Sequence, residues 1–183
     1  MRPAEVPSPG DRIASDTGEL LWDVSAGGRG IVTVDTPRSK AVIGFGAGRR
    51  FDLGGVAIEP GNTRQAGFSA VTVTVMEGDL AAPGGCRVLV TAAGFFQNAS
   101  WGWEELGDER VTLRRNWGEP PTLVEVVAAR IVLPLPAEDV HAWALDERGQ
   151  RGEEVPVGAD DAGRAVLLIG PPYRTFWYEV AVR

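Results

Sequence analysis

The sequence is poor in the residues on which most enzyme chemistry and most metal sites depend. It has one cysteine and one histidine in 183 residues. With Cys86 alone, neither an internal disulfide nor a thiolate metal cluster can form. With His141 alone, multi-histidine zinc sites are excluded, and a Ser-His-Asp triad would have to use that one imidazole. His141 stands in an alternating segment before Ala142 and Trp143, and no nucleophile elbow occurs in the chain, so it reads as a strand residue. Cys86, beside Val88 and Val90, reads the same way.

Lysine is almost missing as well: of 18 basic side chains only Lys40 is not arginine. Against them stand 25 acidic residues, for a net charge of −7. That balance argues against nucleic acid or an anionic membrane as partner. Arg49-Arg50 and Arg114-Arg115 are too short to make a basic patch. No apolar run is long enough to cross a membrane as a helix. The Pro-rich Met1 to Gly10 lacks the apolar core of a signal peptide.

What is abundant is turn chemistry. There are 24 glycines and 13 prolines, with an ordinary 44% hydrophobic and 23% charged residues. Between the turns the pattern has period two. Val71, Val73 and Val75 alternate with Thr72 and Thr74, and Val88 and Val90 alternate with Leu89 and Thr91. Strands are predicted at 30–36, 41–45, 68–77, 87–92, 123–133, 140–145, 153–157, 164–169 and 175–182. Turns are predicted at Gly46-Ala47-Gly48, Gly54-Gly55, Pro60-Gly61-Asn62 and Pro83-Gly84-Gly85. No apolar stripe of helical period runs for three turns.

The expectation is therefore an all-β protein: an antiparallel β-sandwich, jelly-roll or immunoglobulin-like, with little or no helix. Residues 1–14 read as a linker or extended arm, and 15–183 as the sandwich. If the sandwich divides, the boundary falls near 119–122, at Pro120-Pro121. Residues 97–121 read as a long loop or as irregular strands on one rim.

Three places carry a family resemblance. The first is Ser15-Asp16-Thr17-Gly18-Glu19-Leu20 with Trp22, then Val32 to Pro37 and Ala41 to Phe45. The second is Val88 to Thr91 with Asn98, then Asn116-Trp117-Gly118 and Pro121 to Glu125. The third is Ala144-Leu145-Asp146 with Gly149, closing on Phe176-Trp177-Tyr178-Glu179. Together they resemble the C-terminal β-domain that follows the (β/α)8 barrel in several bacterial glycoside hydrolases, over most of 13–182. The resemblance implies a β-sandwich, a polysaccharide or oligosaccharide as ligand, and an extracellular place as part of a secreted enzyme. The acid and nucleophile of that family belong to the barrel, so none is carried over.

Sugar binding needs flat aromatic faces with hydrogen-bonding groups beside them. Trp101, Trp103 and Trp117 stand in a polar, Gly-rich segment and form the candidate platform, with Asn98, Glu104 and Arg115 to orient a sugar. Trp22, Trp143 and Trp177 read as core. The adjacent carboxylates Glu104-Glu105 and Glu153-Glu154, and Asp160-Asp161 in a turn, make poor catalytic pairs, because neighbours on a strand point to opposite faces. No cofactor is expected. Asp16, Asp160 and Asp161 are candidate Ca²⁺ ligands, but no Asp-x-Asp-x-Asp-Gly loop surrounds them. Gly44-Phe45-Gly46-Ala47-Gly48 reads as a hairpin turn, not a nucleotide loop.

The expected function is a non-catalytic carbohydrate-binding module. The alternative is a structural accessory domain that packs on a (β/α)8 catalytic barrel and has no sugar affinity of its own. A small carboxylate enzyme is a third reading.

Overall fold

The computed structural model describes residues 11–25, 29–80 and 85–182. They form two antiparallel sheets packed face to face, with two single-turn 3-10 helices, Ala137–Asp139 and Pro171–Tyr173. The expected all-β sandwich is what is found.

The larger sheet contains β1 (Arg12–Ala14), β2 (Leu20–Asp23), β3 (Ile31–Asp35), β4 (Ser39–Phe45), β7 (Phe68–Glu77), β8 (Arg87–Ala99), β11 (Glu119–Val126), β13 (Val140–Leu145), β14 (Arg151–Val155) and β17 (Trp177–Val182). Its order is β1-β2-β3-β4-β7-β8-β17-β13-β14, with β11 paired to the far half of β8. The smaller sheet is built from β5 (Phe51–Leu53), β6 (Val56–Pro60), β12 (Ala129–Pro136), β15 (Val157–Ala159) and β16 (Arg164–Ile169). Its order is β15-β16-β12-β6-β5. A third pair, β9 (Glu104–Gly107) and β10 (Arg110–Thr112), is a separate hairpin.

The period-two pattern sorts each strand into two faces. Val42, Val71, Val73, Val88, Val90, Tyr178 and Val180 face inward from the larger sheet, and Leu53, Val56, Ile58, Ile131, Leu133 and Leu167 meet them from the smaller one. Fully burying one such side chain contributes roughly 1.5–3 kcal/mol. Cys86 is buried against this core, immediately before β8, and burial pushes its thiol pKa up. Tyr178 is the large aromatic of the interior. Its hydroxyl donates to the Thr175 carbonyl at 2.9 Å and accepts from the Gly170 N–H at 3.1 Å.

Several boundaries differ from the sequence reading. Arg12–Ala14 is not linker but β1, paired with β2; residues 1–10 lie outside the described residues. The chain does not divide at 119–122, because strands from both sides share one core: β12 pairs with β6, and β17 with β8. The single strand expected over 123–133 is two, broken at Val127-Ala128, and β12 continues through Pro134 to Pro136. The strand expected over 153–157 breaks at Pro156, with β14 in one sheet and β15 in the other. Proline cannot donate to a ladder, so the chain changes sheets there.

All six tryptophans lie within the described residues, and none is buried. Trp22, expected in the core, is 48% exposed on β2. Trp143 and Trp177 are half-buried on the outer face of the larger sheet. Trp143 is covered by the Arg151 guanidinium, 4.0 Å from its ring centre, and by the stacked ring of His141. Arg151 in turn pairs with Glu179. Trp177 stacks on Phe176. These residues alternate correctly for strands, but on the opposite face from the valines.

Candidate functional site

β8 is 13 residues long, and only its first half lies between β7 and β17. From Gly94 onward its partner is β11, so 94–126 form a ribbon that continues β8 and carries the β9–β10 hairpin at its end. Residues 97–121, expected as a long loop or as irregular strands on one rim, belong to this ribbon, whose strands carry register shifts.

A bulge sets its course. The register slips between Val124 and Val126, and the Glu125 carboxylate accepts the freed Phe95 N–H at 3.1 Å and the Arg64 N–H at 2.7 Å. A side chain at position 94 would collide with that carboxylate, at 2.7 Å. At the far end Asp108 and Glu109 both have positive φ, 52° and 58°, which closes the β9–β10 turn with the twist a two-residue hairpin needs.

The aromatic residues converge here. Trp101 is half-buried, with the Phe95 ring 6.1 Å away and the Trp103 ring 5.1 Å away. Trp101 and Trp103 are inclined by 55°, so they form a bent pair instead of a flat platform. Trp103 is 56% exposed, Trp117 63% and Phe96 71%. An open, largely apolar cleft of about 240 Å³ lies among Phe95, Phe96, Gln97, Asn98, Trp101, Leu113 and Trp117. Trp103 touches Trp101 but does not line it.

The polar residues expected beside the rings are differently placed. Asn98 is drawn into the ribbon: its amide donates to the Trp117 carbonyl at 2.9 Å and accepts from the Thr122 hydroxyl at 2.7 Å. Glu104 pairs with Arg114 at 2.7 Å. Arg115 is exposed and has no ion pair or hydrogen bond among the described residues. Asn116 bridges the loop through its main chain, its carbonyl accepting from the Gly102 N–H at 3.4 Å and its N–H donating to the Leu113 carbonyl at 2.7 Å. Gly118, at φ 72° just before β11, lets the chain pass close to Ala99 and Trp101; a Cβ there would collide with the Ala99 carbonyl oxygen and meet the Trp101 main-chain nitrogen at 2.7 Å.

Sequence reasoning missed Phe95, Phe96, Gln97 and Leu113. The signal was available for the first two, since adjacent strand residues face opposite sides and two neighbouring phenylalanines cannot both enter one core.

Among the described residues no three His, Cys, Asp or Glu side chains come together as metal ligands. Asp160 instead closes its own turn, accepting from the Arg164 and Ala162 N–H groups and from the Arg164 side chain. Those bonds, led by the Arg164 backbone, hold its carboxyl below the usual range. Asp16 accepts the Thr17 N–H. Compared with protein-family models, with curated proteins and with solved structures, the chain matches none.

Proposed function

We propose that this chain is a non-catalytic carbohydrate-binding module, taking a neutral polysaccharide or oligosaccharide on the aromatic ribbon as an accessory domain of a secreted glycoside hydrolase. One observation carries the reading: Phe96 and Trp117, each more than half exposed, line an open cleft on the ribbon, and Trp103, also more than half exposed, packs against Trp101 of that lining. Water is a poor neighbour for three large rings, and the apolar face of a pyranose is a good one. The Gln97 amide, which lines the cleft, is the group placed to meet hydroxyls, and the exposed Arg115 guanidinium is carried on the same ribbon. The ribbon also carries Glu104, Glu105, Asp108, Glu109, Glu119 and Glu125 against Arg110, Arg114 and Arg115. That excess of negative charge disfavours uronic acids and sulfated sugars.

The test is affinity electrophoresis of the chain in gels containing β-glucan, xylan, mannan or galactan. Retardation by a neutral glycan, lost in Trp103→Ala and Trp117→Ala variants that melt like the parent, is the expected result. No retardation by any glycan would overturn it.

One feature favours the alternative, a domain that uses the ribbon to pack on a catalytic barrel. Leu106, Val111 and Leu123 are about half exposed on the same ribbon, so its apolar surface extends past the rings. With Asn98 and Glu104 already engaged internally, a protein surface would be matched with fewer unmet hydroxyls. Absent glycan affinity together with stoichiometric binding to a separately produced (β/α)8 domain would decide for this reading.

A further inference from the structure

The outer face of the larger sheet, away from the ribbon, is built unlike a solvated one. Val42, Val71 and Val90 face the core, so their strand neighbours face outward. The ladder aligns those neighbours in rows. Leu20, Val34, Ala41, Thr72, Thr91 and Trp177 are successive partners across β2, β3, β4, β7, β8 and β17. Trp22, Val32, Ile43, Ala70 and Ala93 make the next row. Neither row contains a charge. A third row, Ser39, Thr74, Leu89 and Glu179, has one, and Arg151 neutralises it.

An antiparallel sheet with one wet face normally alternates apolar-in with polar-out. Here the outward hydroxyls are also spent on one another, Thr72 with Thr91 at 2.8 Å and Ser39 with Thr74 at 3.0 Å. Covering the face therefore strands few polar groups. The middle is low, with Ala41, Ala70, Thr72, Thr91 and Ala93, and the rim is tall, with Trp22, Ile43, Phe68 and Trp177.

We propose that this face is the contact between two copies of the chain, related by a two-fold axis. Sheet on sheet is how the chain already packs its own two layers. The five strands β3, β4, β7, β8 and β17 present roughly 24 Å by 24 Å, about 570 Å² per copy and about 1,100 Å² for two. That total clears the roughly 1,000 Å² a specific contact needs and lies just under the roughly 1,200 Å² at which stable interfaces begin, the size of a weak, concentration-dependent pair. The charges on the face are paired, Glu179 with Arg151 and, at its edge, Glu77 with Arg87, so it can meet its own copy without net repulsion, whereas the net −7 of each chain acts elsewhere. Added salt, which screens that repulsion, should tighten the pair.

The experiment is sedimentation equilibrium of the full chain from about 2 to about 200 µM, at low and high salt. The expected result is a mass rising from 19.5 kDa to twice that value, at lower concentration in high salt. Ile43→Lys and Ala70→Lys should hold the mass at 19.5 kDa with unchanged melting. Trp103→Ser, on the ribbon, should leave dimerisation intact, so failure of the sugar reading would leave this proposal standing. A monomer at every concentration and salt would overturn it. So would a dimer that survives both face substitutions, or one lost through Trp103→Ser alone.

Discussion

The side-chain amide of Asn98 donates to the main-chain carbonyl of Trp117 at 2.9 Å, and the two residues sit on opposite limbs of the ribbon. The most exposed indole is therefore positioned through its backbone, by a residue the sequence marked as a ligand. Asn98→Ala should free that limb while sparing the sandwich core. A cost under about 1 kcal/mol is expected for an exposed bond of this kind. The check is a small shift in melting together with a larger change in Trp emission and a loss of any glycan retardation.

Tyr178 is nearly fully buried, and its hydroxyl ties the Gly170 turn to Thr175. Tyr178→Phe keeps the ring and leaves the Gly170 N–H without its acceptor. Destabilisation of about 1–3 kcal/mol is expected, read as a lower denaturant midpoint at an unchanged slope.

Acid should weaken the fold through its clasped aspartates. Asp160 is held below its ordinary value of 3.8 by bonds from Arg164 and Ala162, and Asp23 by bonds from Ser25 and then by Arg12. A depressed native pKa means stabilisation present above the unfolded value and lost as pH falls through the folded one. Melting temperature should therefore drop below about pH 4, and Asp160→Asn should flatten part of that drop. A profile identical to the parent's would remove Asp160 from the account.

Cys86 is buried, and its thiol pKa is raised by that burial and, secondarily, by Asp79. Since the thiolate is the reactive form, an aromatic disulfide reagent at mildly alkaline pH should label the native chain slowly. In denaturant one thiol per chain should react at once. Fast native labelling would show that the segment before β8 opens readily.

The local pattern identified most of the sandwich. Val71, Val73 and Val75, and Val88 with Val90, alternate because a pleated strand alternates, and that period needs no knowledge of the partner sheet. Glycine and proline then marked turns such as Gly54-Gly55, where β5 hands over to β6. Short strands such as β5 and β9 were not legible, since three or four residues carry too little period to read.

Which face of a strand is covered is not a local property. Trp143 and Trp177 alternate as core residues do, yet lie outside, because only the second sheet decides which side of β13 and β17 becomes interior. The split of 123–133 between two sheets has the same origin. Composition drew attention to residues 97–121, and the structure gathers Gln97, Asn98, Trp101, Leu113 and Trp117 of that stretch around the cleft. The tilt of Trp101 against Trp103, the arrival of Phe95 and Phe96, and the engagement of Asn98 follow from the bulge at Glu125 and the pairing of β8 with β11. The sequence by itself determined the all-β class, through a periodicity each strand carries alone. Tertiary structure decided the sheet order, the outward tryptophans and the shape of the cleft, because these depend on contacts between residues far apart in the chain.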